Sequence, residues 1–130
     1  MTQLLAIALG GALGALGRHF FAGWVVGLTG GGFPWGIFAA NILGSFLMGV
    51  LVELFARVGA PFAEARAFLA VGVLGAFTTF STFSLDAVLL IERGQLAQAA
   101  GYVAGSVVLA VGGLYLGMAL VRLIASGGAA

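Results

Sequence analysis

The chain has 130 residues, 62% hydrophobic and 7% charged, with five arginines, no lysine, four acids, one histidine and a formal net charge of +1. A soluble domain carries roughly a quarter charged residues, so too little polar surface is present here to coat a globule in water, and a mean hydropathy of +1.22 points to a bilayer as solvent. The absence of cysteine excludes disulfides and thiolate metal sites, and the small net charge supplies no basic patch for nucleic acid.

Crossing the hydrocarbon core takes about 20 apolar residues in a helix. Four stretches qualify, over about residues 4–26, 35–55, 68–91 and 96–121. The start, Met1-Thr2-Gln3, lacks the basic region of a cleaved signal peptide. The expectation is therefore an all-α integral membrane protein with one four-helix domain over 1–130. Its short links force neighbouring helices to run antiparallel.

The first span contains Arg18 and His19. The apolar run before Arg18 is too short to cross alone. Either the helix ends early with a snorkelling arginine, or it continues and Arg18 lines a wet vestibule that attracts anions. His19, with no neighbouring acid or cysteine, makes a poor metal site. Trp24 and Trp35 flank the first loop as interfacial aromatics do. Gly10 and Gly14, Gly101 and Gly105, and Gly113 and Gly117 form GxxxG pairs, which allow close helix packing either within one chain or between subunits.

The second span carries Asn41, whose amide either bridges two helices or offers donors to a ligand. The third contains "GVLGAFTTFSTFSLD", with five hydroxyls between Thr78 and Ser84. Single serines and threonines in membrane helices often bond back to a carbonyl one turn earlier. Five in seven residues exceed that habit and, after Gly75, indicate a helix broken near residues 75–79. Such breaks are tolerated where the freed backbone lines a cavity or coordinates an ion. Phe80 and Phe83 share a helical face, either for packing or to turn positive ring edges toward an anion. Asp86 caps hydroxyls or stays near the interface. Tyr102 and Ser106 lie one turn apart on the fourth span.

With the N-terminus in the cytoplasm, Arg57, Arg66 and Arg122 lie inside and Arg18 and Arg93 outside. That near balance suits either a weak N-in preference or insertion in both orientations, pairing with an inverted copy. No nucleophile with a base, phosphate loop or buried carboxylate pair supports an enzyme.

Together "GALGALGRH", "NILGSFLMG" and "GAFTTFSTFSLD", in this order, resemble the Fluc/CrcB family of bacterial fluoride channels. The resemblance implies an antiparallel, dual-topology homodimer in the bacterial cytoplasmic membrane, with two pathways exporting fluoride passively. It places Asn41, Phe80, Phe83, Ser81, Thr82, Tyr102 and Ser106 along the fluoride pathway and Arg18 in the vestibule. It implies one central sodium ion at the dimer interface, held by the backbone carbonyls of Gly75 and Thr78. The chain departs from the family pattern at Ala76, Asp86 and Ala110. The alternative is a small proton-coupled multidrug exporter, also a four-helix dual-topology chain, which requires a mid-span acid. Glu53 lies only near the end of the second span. A non-conducting packing subunit is a further rival, and it leaves the hydroxyl cluster unexplained.

Overall fold

A computed structural model describes residues 1–128, apart from the Ala60 side chain; residues 129–130 of the expected domain lie outside the described residues. Every regular element in it is helical. Four segments are long and apolar enough to cross a membrane: Thr2–Thr29, Trp35–Val58, Ala63–Glu92 and Leu96–Gly127. Each runs past the apolar stretch that marks it in the sequence, because helical hydrogen bonding continues into the interface after the hydrophobic residues end. Glycines stop the chain where composition does not. Gly30, Gly59 and Gly94 adopt φ values of 87°, 79° and 74° in the three turns, a region that glycine enters without steric cost.

The first helix does not end at Arg18 but continues to Thr29. The third segment is less regular. A short turn, Ala63–Arg66, leads into a π-helical stretch, Ala67–Leu74, and then into Gly75–Phe77. Gly75 is itself helical, with φ −61° and ψ −36°. Thr78 (φ −82°, ψ 157°) and Thr79 (φ −154°, ψ 125°) are extended, and the helix Phe80–Glu92 begins after them.

Close backbone approach organises the bundle. A Cβ on Gly49 would overlap the Leu114 carbonyl, and one on Gly117 would overlap the Phe46 carbonyl. The second and fourth helices therefore meet where neither has a side chain. Gly14 packs in the same way against the Val73 carbonyl, joining the first helix to the third segment. In lipid this fit matters because apolar surface alone gives helices no reason to associate; van der Waals contact between backbones does. Gly10–Gly14 and Gly113–Gly117 thus serve packing within the chain, whereas Gly101 faces open space.

One buried cluster sets the position of the candidate site. Phe83, Ala87, Leu90, Ala99 and Tyr102 pack together, with Phe33, Ile37 and Phe38 against them. This core fixes the helix that follows the extended residues onto the second and fourth helices. Leucines such as Leu4, Leu9, Leu13 and Leu123 remain exposed, as lipid-facing residues of a spanning helix are.

Candidate functional site

The five hydroxyls divide into two groups. Thr78 Oγ1 donates to the Leu74 carbonyl at 3.1 Å and Ser84 Oγ to the Phe80 carbonyl at 2.9 Å, the ordinary backbonding habit. The others gather where the helix restarts. Thr79 is the N-cap of Phe80–Glu92, its Oγ1 accepting from the Thr82 amide at 3.2 Å. The same hydroxyl donates to Thr82 Oγ1 at 3.2 Å and lies 3.4 Å from Ser81 Oγ.

Asn41 supports this restart from the second helix. Its Oδ1 accepts the Thr79 amide at 2.8 Å, and its Nδ2 donates to the Thr79 carbonyl at 3.1 Å. One side chain thereby satisfies both backbone groups of an extended residue at membrane depth, where an unpaired group costs several kcal/mol. In a continuous helix the Thr79 amide would bond to the Gly75 carbonyl. Its engagement with Asn41 releases that carbonyl. Arg18 Nη1 donates to the Thr78 carbonyl at 3.3 Å.

An open-sided cavity of about 250 Å³ lies beside this clamp, lined by Asn41, Ser45, Thr78, Thr79, Phe80, Phe83, Ser106, Val107 and Ala110. Its lining contains no charged side chain. Ser106 is 6% exposed, and its Oγ is buried without a hydrogen-bond partner. Asn41 keeps one unused N–H, since its amide carries two and one is given to Thr79. Phe83 is anchored in the core, whereas Phe80 is 79% exposed; their ring centroids are 5.5 Å apart with planes inclined by 46°.

A second, larger cavity of about 490 Å³ is lined in part by Arg18, His19, Ile37, Thr82 and Asp86. Arg18 therefore lines a cavity and does not sit at a helix end. Thr82 faces this larger space and touches Thr79 of the smaller one, so the Thr79–Thr82 hydroxyl pair links the two.

The structure thus brings Asn41, Thr78, Phe80, Phe83 and Ser106 to one cavity and Arg18 and Thr82 to the other. Ser81 is exposed at the edge, in reach of Thr79. Tyr102 lies elsewhere: it is fully buried, its ring 5.2 Å from that of Phe83 and perpendicular to Phe33. Its hydroxyl donates to Asp86 Oδ2 at 3.0 Å, so Asp86 serves as an acceptor one helix away. Gly75 contributes backbone only and is exposed.

Sequence reasoning did not single out Ser45 and Thr79. Ser45 lies one helical turn beyond Asn41, a spacing that places it on the same face. Thr79 carries an N-cap signature, a threonine immediately before a helical run.

Chemically, the smaller cavity offers dispersed donors, an aromatic pair and no acid. Such a lining suits a small anion held briefly at several sites. Glu53, the acid of the second helix, is ion-paired with Arg57 at 3.2 Å and Arg122 at 3.0 Å, and it lies outside both linings.

Residues 5–118 match the family described as CrcB-like protein, Camphor Resistance (CrcB). Over 122 residues the chain is 52% identical to a Rhodospirillum centenum protein, covering 94% of this chain and 97% of that one. It is 49% identical over 122 residues to an Agrobacterium fabrum protein (94% and 98% covered). A Nitrobacter winogradskyi protein is 51% identical over 128 residues (95% and 98% covered). Each of the three is named a fluoride-specific ion channel, FluC. With the match spanning nearly all of its length, the chain belongs to the CrcB family.

Proposed function

We propose that this chain is a fluoride-selective channel that lets fluoride leave the cytoplasm passively and so lowers its toxicity. One observation carries the reading: an unpartnered buried hydroxyl, Ser106, and a spare Asn41 N–H converge on an uncharged cavity beside an interrupted helix. The names of its relatives point the same way.

Fluoride is small and tightly hydrated, so a pore must replace its water with donors and then release it. Conduction needs binding favourable enough for entry yet weak and multiple enough for exit. Arg18, half-buried in the larger cavity, raises the local anion concentration. The ion then passes the Thr82 and Thr79 hydroxyls to the Asn41 amide, the Phe80 and Phe83 ring edges and Ser106. Ser81 lies at the edge of this route. Tyr102 holds Asp86 and backs the Phe83 ring, shaping the route without lining the smaller cavity.

The working unit in this reading is an antiparallel homodimer with two pathways in the bacterial cytoplasmic membrane. The near balance of arginines between the two ends supports insertion both ways. At its centre the Gly75 and Thr78 carbonyls of both chains would hold a sodium ion. The donor set fits: carbonyl oxygens suit a hard cation, and the break releases the Gly75 carbonyl from its helical partner. A bound sodium ion would supply positive charge near the anion route, and Arg18 would then share or release the Thr78 carbonyl.

Expression in a bacterium that has lost fluoride export tests the function. Restored growth in fluoride medium supports it. A folded, membrane-inserted protein that leaves the cells as sensitive as before contradicts it.

A further inference from the structure

The feature that the fluoride route does not use lies at the opposite end of the second helix. Glu53 is 9% exposed and its carboxylate is shared by two arginines. Arg57, one turn on, donates Nη2 to Oε1 at 3.2 Å, and Arg122 of the fourth helix bonds through Nη2 to Oε2 at 3.0 Å. One negative charge thus orients two positive ones. The side chains of Arg57 and Arg122 remain 44% and 55% exposed, while that of Glu53 is largely covered.

This arrangement has a residual charge of one and several unused N–H donors. A guanidinium carries five donors in a planar fork, of which the carboxylate engages only a few. Exposed apolar side chains adjoin these residues in sequence on the same two helices: Leu54, Val58, Leu123 and Ile124 are each about half exposed or more. A soluble anion has no use for such a surface. A phospholipid does, since its phosphate meets the arginines while its acyl chains lie against the leucines and isoleucine. Basic pockets between membrane helices take anionic headgroups in this way.

We propose that Arg57 and Arg122, oriented by Glu53, form a binding site for the phosphate of an anionic phospholipid between the second and fourth helices. Arginine is suited to the task because its fork matches phosphate geometry. The inference does not depend on the ion that the channel carries.

The test uses the full chain in nanodiscs of equal parts dioleoyl phosphatidylglycerol and dioleoyl phosphatidylcholine, with the lipid retained on release read by native mass spectrometry. Wild type retains the phosphatidylglycerol in preference. Arg57→Gln, which leaves the Glu53–Arg122 pair intact, lowers that preference about five-fold, the effect of one arginine at a membrane surface. Glu53→Gln/Arg57→Gln/Arg122→Gln removes both cations and the buried acid together and abolishes the preference. Arg93→Gln, at the other end of the bundle, lowers it by less than Arg57→Gln does. Equal retention of the two lipids by wild type, or a preference that Arg57→Gln leaves unchanged, overturns the proposal. So does displacement of the lipid by inorganic phosphate at equal concentration, which assigns the site to a free ion. Should the triple variant not fold, Arg57→Gln alone decides.

Discussion

Asn41 and Thr79, on different membrane segments, pair as two residues of a sheet do: amide oxygen to backbone N–H at 2.8 Å and amide N–H to backbone carbonyl at 3.1 Å. This pairing lets the chain leave the helix at Thr78 and Thr79 with both backbone groups of Thr79 satisfied in lipid. Asn41 thus clamps the interruption and keeps one amide N–H beside the cavity that it lines.

Asn41→Ala therefore removes both the clamp and that N–H. The Thr79 amide and carbonyl lose their partners, which costs about 1–3 kcal/mol for each group left buried and unpaired. The expected result is a lower unfolding temperature in detergent together with loss of fluoride flux. Unchanged unfolding would show that the clamp contributes nothing.

Ser106→Ala separates stability from transport. The hydroxyl has no partner in the fold, so its loss leaves stability unchanged or slightly raised. A hydrogen bond to a charged species contributes about 1.5–3 kcal/mol. Losing one at a step that limits passage lowers fluoride flux by roughly ten- to a hundred-fold, measured by a fluoride electrode on proteoliposomes. Ser45→Ala, on the same cavity wall, is expected to lower flux by less, because Ser45 is the more exposed of the two.

Gly49→Ala and Gly117→Ala each place a methyl group against a backbone carbonyl of the facing helix. Overpacking of this kind costs about 1–3 kcal/mol, read as earlier unfolding in a denaturing-detergent titration. Gly101→Ala meets open space and unfolds with the wild type.

Tyr102→Phe keeps the ring against Phe83 and removes the donor to Asp86. The core stays packed, and the cost is that of one charge-assisted bond, about 1.5–3 kcal/mol. Tyr102→Phe/Asp86→Asn removes the stranded carboxylate as well. A thermal-unfolding double-mutant cycle with Asp86→Asn is expected to show a coupling in that range; additive effects would mean that the contact is energetically silent.

The four crossings were legible in the sequence because a bilayer demands long apolar runs, and nothing else in a chain so poor in charge competes with that signal. Their ends were less so: helices such as Leu96–Gly127 continue past the hydrophobic residues and stop at turns. The site shows the same division. The crowded hydroxyls of residues 78–84 mark their segment as unusual by count alone. The partner of the Thr79 backbone comes from residue 41, and no local pattern encodes a contact across 38 positions. The π-helical stretch Ala67–Leu74 has no signature in its apolar, small-residue sequence. Tyr102 and Ser106 are one turn apart, yet only Ser106 lines the cavity, because Phe33, Phe38 and Phe83 enclose the Tyr102 ring.

A fluoride channel must pass fluoride and reject chloride as a folded assembly. Liposomes containing the purified protein, loaded with either ion and clamped at one voltage with potassium and valinomycin, test it directly. Rapid loss of fluoride with chloride retained is the expected result. Loss of both ions at similar rates, or of neither from protein shown to be folded and inserted, would contradict it.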